Sequence, residues 1–213
     1  MCGCNKIDLL RCNAWLKIPL ADYKGHMSLP AVGQAQMIAD QFDRALDQWA
    51  PTSLAVIGCA GGNGLDRIAS SRVKRVIALD VNPDYIERTR ARYARRLEGL
   101  DLICADVQSE SLVYDPVDFT YAALLFEYVD VQSTLKTLKR NSRPGAVLTT
   151  VLQRHDHRAG FREEILCAEL YALNFSEGIN RLPRGSYPGE GWCREPDVRA
   201  SPWMSGDALS RRG

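Results

Sequence analysis

The chain has 213 residues, 46% hydrophobic and 25% charged, with 27 Lys and Arg against 26 Asp and Glu for a formal net charge of +1. At this length a single domain buries roughly 70% of its unfolded surface and needs no disulfide staples. The balanced charge argues against a protein built mainly to hold nucleic acid or an anionic membrane, and no apolar run approaches the length of a bilayer span.

The first twelve residues, MCGCNKIDLLRC, show no periodicity. Lys6, Asp8 and Arg11 break the continuous apolar stretch that a secretion signal needs. This segment is expected to be a disordered leader on a cytoplasmic protein. The seven cysteines are odd in number and irregularly spaced, which reads as reduced thiols. Cys59 and Cys104 sit in apolar segments and are expected in the core. Cys2, Cys4 and Cys12 lack a fourth ligand at a suitable spacing. His155 and His157 in RHDHR lack carboxylate or cysteine partners at a set ligand spacing, so no metal site is predicted.

Ordered sequence is expected from residue 13. Over Gly33 to Trp49, residues Met37, Ile38, Phe42, Ala45, Leu46 and Trp49 fall on one helical stripe, and Pro51 stops the helix. SLAVIG (53–58) then reads as a buried strand and GLDRIASSRV as a helix. RVIALD (75–80) reads as a second strand. NPDYIERTRARYARRL is a helix with Asn82 as N-cap and Pro83 at its first position. DLICAD (101–106) and VDFTYAALLF (117–126) are further strands. VQSTLKTLKRN is helical, and a Pro144-Gly145 turn leads into a fifth strand, GAVLTTVLQ (145–153). This alternation predicts an α/β fold, a Rossmann-like, doubly wound and mostly parallel sheet with helices on both faces.

Beyond residue 153 the pattern decays. FREEILCAELYALNF (161–175) reads as a helix. Residues 176–213 hold six Gly, six Arg, five Ser and four Pro with no strand or helix period. The expected organisation is a leader (1–12), one domain (13–175) and an irregular tail (176–213), either disordered or the product of a frameshift. The last strands of the sheet are expected to be missing or irregular.

The stretch VIGCAGGNG (56–64) places four glycines at the end of the first strand, where an open parallel sheet binds its ligands. The dinucleotide fingerprint G-x-G-x-x-G fails in both registers. From Gly58 it meets Ala60 and Asn63, and from Gly62 it meets Gly64 and Arg67. No G-K-[ST] follows, which excludes a P-loop. The turn instead resembles the first motif of class I S-adenosylmethionine-dependent methyltransferases, with Gly58, Cys59, Ala60 and Gly62 at the cofactor. Val56 stands where an acid is common, and Ala60 replaces the middle glycine. The resemblance spans about residues 23 to 153. It is nearest to the small-molecule branch typified by the ubiquinone and menaquinone methyltransferases.

The resemblance implies S-adenosylmethionine as cofactor and a role for each later strand end. Asp80 would accept both ribose hydroxyls, and Asp106 would meet the adenine amino group. Val81 and Val107 would flank the adenine ring. Ala123 and Leu124 would pass beneath the reacting methyl. Read without the resemblance, either Asp is also a plausible cap for the next helix.

Methyl transfer from a sulfonium releases a neutral thioether, so catalysis is mostly alignment, and a base matters only when the acceptor must lose a proton. No catalytic constellation is visible. The acceptor-side candidates are positional: Tyr23 and His26 before the first long helix, and Glu127 and Tyr128 after the fourth strand. The implied partner is a small-molecule methyl acceptor, with no nucleic acid and no membrane. Arg88, Arg92, Arg95 and Arg96 read as a solvated helix face. The alternative is a non-catalytic or truncated Rossmann-like cofactor-binding or partner protein, since missing final strands would leave a sheet edge unpaired and open to a partner or a second copy. An NAD-dependent enzyme is a weaker third reading.

Overall fold

The runs SLAVI and RVIALD become adjacent parallel strands, β1 (Ser53–Ile57) and β2 (Arg75–Asp80), aligned from Ser53 opposite Arg75 to Ile57 opposite Leu79. In this computed structural model the described residues are 13–30, 32–154, 167–174 and 178–181. They belong to one compact unit, Met1–Pro183; a second unit, Arg184–Gly213, lies outside the described residues, as do Cys2, Cys4, Cys12, His155 and His157.

A short 3-10 turn (Ala14–Lys17) leads into α1 (Leu20–Met27) and α2 (Gln34–Trp49). After β2 come α3 (Pro83–Tyr93), β3 (Leu100–Cys104), β4 (Val117–Ala123), α4 (Val131–Arg140) and β5 (Ser142–Arg154). Strands β6 (Cys167–Asn174) and β7 (Gly178–Arg181) follow. The sheet order is β3-β2-β1-β4-β5-β6-β7, and β1 to β5 are parallel. The chain steps outward from β1 to β3, then crosses back to β4. The crevice above the ends of β1 and β4 is therefore the switch point where such sheets bind ligands.

The two faces of the sheet are filled from alternate strand positions. The α2 stripe, Ile38, Phe42, Ala45 and Leu46, packs with Leu54, Val56, Val76, Phe119 and Tyr121. On the other face Leu138 of α4 packs with Ala55, Ile57, Ile77, Val117, Ala122 and Leu148. The α3 N-cap is Asn82, whose side chain accepts the Asp84 N–H, with Pro83 at the first position as expected. Asp130 caps α4 through the Ser133 N–H.

Several expectations change. GLDRIASSRV makes only a 3-10 turn, Leu65–Ser70, ended where the Ser71 hydroxyl donates to the Ile68 carbonyl. Helix α3 stops at Tyr93, so Arg95 and Arg96 lie beyond it. Cys104 is exposed because β3 is the outer strand of the sheet; Cys59 is buried.

The largest change is at the C-terminal end. The expected helix over 161–175 is a strand over 167–174, antiparallel to β5 from Arg154 opposite Cys167 to Val147 opposite Asn174. Helix-forming Ala, Leu and Glu yield here to the unsatisfied edge of β5, a tertiary demand that outweighs local propensity. Gly178–Arg181, within the expected irregular tail, forms β7 antiparallel to β6. The final described strands thus pair as an antiparallel meander, and the β5 edge expected to be open is paired.

No described helix is long and apolar enough to cross a membrane. Leu138 is fully buried and is the main contact of α4 with the sheet. Leu138→Ala is expected to lower stability by about 2–5 kcal/mol in urea unfolding, by lost transfer energy and the cavity left behind.

Candidate functional site

The glycine turn hangs from the end of β2. The Gly58 and Cys59 N–H groups both donate to the Leu79 carbonyl, at 2.8 and 3.1 Å. Positive φ recurs at Gly58 (72°), Ala60 (47°), Gly61 (73°) and Gly62 (82°). Ala60 thus adopts the left-handed conformation that a glycine would take freely, at a cost of about 1–2 kcal/mol. Its N–H donates to Asp80 Oδ2 at 2.9 Å, which offsets the strain.

Asp80 closes β2 and is 6% exposed. Its Oδ1 accepts the Asn82 N–H at 2.9 Å. Burial pushes the carboxyl above its ordinary range, and the Asn82, Ala60 and Val81 N–H groups pull it part of the way back. A carboxylate offers about four lone-pair sites, so acceptor capacity remains for a ligand.

Above the strand ends lies a cavity of about 430 Å³. Gly58, Ala60, Asp80, Val81, Asp106, Val107 and Ala123 all line it, as do Tyr23, His26 and Tyr128. Three expected site residues do not. Cys59 is buried beneath the turn, 3.6 Å from the Thr89 hydroxyl, where burial pushes its thiol up to about 12. Gly62 packs against α3: a Cβ there would meet the Tyr93 ring at 2.5 Å. Glu127 is exposed outside the lining.

Residues 55–150, from β1 into β5, match the family model described as a methyltransferase domain. The fold is similar to the N-methyltransferase NodS of Bradyrhizobium japonicum WM9, solved with S-adenosyl-L-homocysteine, at 21% identity and a TM-score of 0.54 over 65% of this chain and 71% of that one. It is also similar to a SAM-dependent methyltransferase from Aquifex aeolicus (16% identity, TM-score 0.53, 70% and 81% covered). A third is an S-adenosylmethionine-dependent methyltransferase from Clostridium acetobutylicum ATCC 824 (12% identity, TM-score 0.51, 63% of this chain), of which the match spans 58%. No curated protein matches the chain.

The N-terminal segment covers the cavity and is tied down at two points. Asn82 Nδ2 donates to the Trp15 carbonyl at 2.8 Å, and the Tyr85 hydroxyl donates to the Ile18 carbonyl at 3.0 Å. Trp15 meets Tyr128 edge-on at 4.8 Å between ring centroids, and Tyr23 edge-on at 5.9 Å. Burial, with the Tyr85 and Asp80 charges, pushes the Tyr23 hydroxyl up to about 12, so it stays a hydrogen-bond donor at neutral pH. Sequence reasoning passed over Trp15 and Tyr85, whose only signal is an aromatic at an unremarked position.

Asp106 lies in the turn after β3. Its Oδ1 accepts the Gln108 backbone N–H at 2.9 Å, the local cap that the residue type favours. Arg92, expected in a solvated face, donates to the Gly61 carbonyl at 2.9 Å and sits over the Tyr93 ring. Among the described residues, the lining holds three carboxylates (Asp22, Asp80 and Asp106) and no lysine or arginine. No described group of three His, Cys, Asp or Glu is placed to hold a metal.

Gly62 gives a test of the turn's packing. Gly62→Ala combines an unfavourable φ with a clash on Tyr93 and is expected to cost about 2–4 kcal/mol. Gly33→Ala, with φ of 60° but nothing within 4 Å, is expected to cost only about 1–2 kcal/mol. Urea unfolding of both variants checks the difference.

Proposed function

We propose that the protein moves the methyl group of S-adenosylmethionine to a small-molecule acceptor in the cytoplasm, in the manner of the ubiquinone and menaquinone branch. The observation that carries this reading is Asp80: a buried carboxylate at the end of β2, bound to the glycine turn and lining the cavity with acceptor capacity to spare. Two adjacent hydroxyls, such as those of a ribose, complement that carboxylate.

The remaining roles follow from position. Asp106 accepts from the adenine amino group, and Val81 and Val107 offer apolar surface to the ring. Gly58 and Ala60 let the backbone approach the methionine end, and Ala123 underlies the reacting centre. Bound cofactor supplies a methyl on a positively charged sulfur. Tyr23, His26 and Tyr128 line the acceptor side, where they orient the acceptor and exclude water. His26 is the group to take a proton from an acceptor that must lose one. A lining without lysine or arginine among the described residues favours neutral or cationic acceptors over phosphates and carboxylates.

Isothermal titration with S-adenosylhomocysteine tests the reading, and a folded sample that fails to bind millimolar ligand would refute it. Asp80→Asn is expected to weaken binding by about 100-fold, two charge-assisted hydrogen bonds being reduced to neutral ones. Wild-type affinity is expected to be constant at neutral pH and to fall on acidification. The fall begins above the ordinary aspartate value, because burial raises the Asp80 carboxyl and the ribose hydroxyls need its ionised form. Asp80→Asn removes that pH dependence.

A further inference from the structure

Gln108 follows Asp106 by two residues and uses both ends of its amide. Its Nε2 lies 3.2 Å from Asp106 Oδ1 and 3.4 Å from Oδ2, and its own backbone N–H donates to Oδ1 at 2.9 Å. Its Oε1 accepts the Asp130 N–H at 2.7 Å. Asp130 caps α4 and ends the loop that carries Tyr128 to the cavity.

These contacts fix the orientation of the amide. A flipped amide would set Oε1 against a carboxylate and Nε2 against an N–H group, losing both interactions. The Gln108 donors occupy Oδ1, and only the long 3.4 Å contact reaches Oδ2. Oδ2 is therefore the Asp106 oxygen with more acceptor capacity to spare, and Asp106 and Gln108 both line the cavity.

We propose that Gln108 is a positioning residue: it holds Asp106 as an acceptor-only carboxylate with Oδ2 presented to the base, and it ties that base-reading group to the acceptor-side loop through Asp130. The assignment rests on the cofactor reading above. Its consequence is base selectivity. A base with an amino group at the position facing Oδ2 is accepted, and one with a carbonyl there meets a negatively charged acceptor and is rejected.

The test uses the full chain and two nucleosides, S-adenosylhomocysteine and S-inosylhomocysteine, titrated calorimetrically. The wild type is expected to prefer the adenine compound by about tenfold or more, the value of one charge-assisted hydrogen bond. Gln108→Glu keeps the length and the acceptor for the Asp130 N–H but sets a second carboxylate against Asp106. Gln108→Met keeps the length and removes both hydrogen bonds. Both variants are expected to weaken S-adenosylhomocysteine about tenfold and to bring the selectivity ratio close to one. Thermal melts of the apo proteins establish that the variants are folded. A purely structural role would weaken both nucleosides by the same factor; an unchanged ratio in both variants, or a wild type without preference, overturns the assignment. A wild type that binds neither nucleoside refutes the cofactor reading itself, and this assignment with it.

Discussion

A carboxylate out of water costs several kcal/mol unless hydrogen bonds replace its hydration, and Asp80 obtains that replacement from the backbone alone. The Ala60 N–H fixes the glycine turn against the end of β2. The Asn82 N–H fixes the start of α3. Asn82 then uses its own side chain twice, accepting from Asp84 to cap the helix and donating to Trp15 to hold the N-terminal segment. One buried charge thus organises four pieces of chain around one wall of the cavity. The left-handed Ala60 is understandable in this setting: its strain is tolerated because relaxing it would take a donor away from a buried anion.

Much of this arrangement was legible in the sequence. The strand runs, the Asn82-Pro83 helix start and the paired acids at the ends of β2 and β3 are local patterns with local physical causes. They sufficed to place the cavity between the glycine turn, Asp80, Asp106 and Ala123. The failures have physical reasons as well. Cys59 and Gly62 belong to the same turn as Gly58 and Ala60, but a turn has two sides, and theirs faces Thr89 and Tyr93. Period alone does not tell the sides apart. The strand β6 was hidden because its sequence favours a helix and its partner, β5, supplies the decisive hydrogen bonds from outside the segment.

Gln108 and Trp15 were illegible for a different reason. Neither belongs to a periodic pattern, and each contributes through a partner far along the chain: Gln108 through Asp130, Trp15 through Asn82 and Tyr128. Such contacts exist only after the sheet has brought the loops above β1 to β4 together. Leu124 is similar. It takes a positive φ of 51° just past β4, held by its N–H to the Val151 carbonyl, and so turns the loop after β4 away from the strand direction.

The site can be followed as two arms that start from different carboxylates. From Asp80 the contacts run through Asn82 to Trp15; from Asp106 they run through Gln108 to Asp130 and so to the loop that bears Tyr128. The arms meet where Trp15 touches Tyr128 edge-on. That meeting point is the weakest joint in the ring, since an edge-to-face pair contributes about 0.5–1.5 kcal/mol and each arm behind it is held by hydrogen bonds to charged or capping groups. Tyr128 is also 57% exposed, whereas Asp80 is buried. Separation of the cover from the loop after β4 therefore costs least at Trp15 and Tyr128, and the buried carboxylate and the strained turn bound to it have no part in that contact.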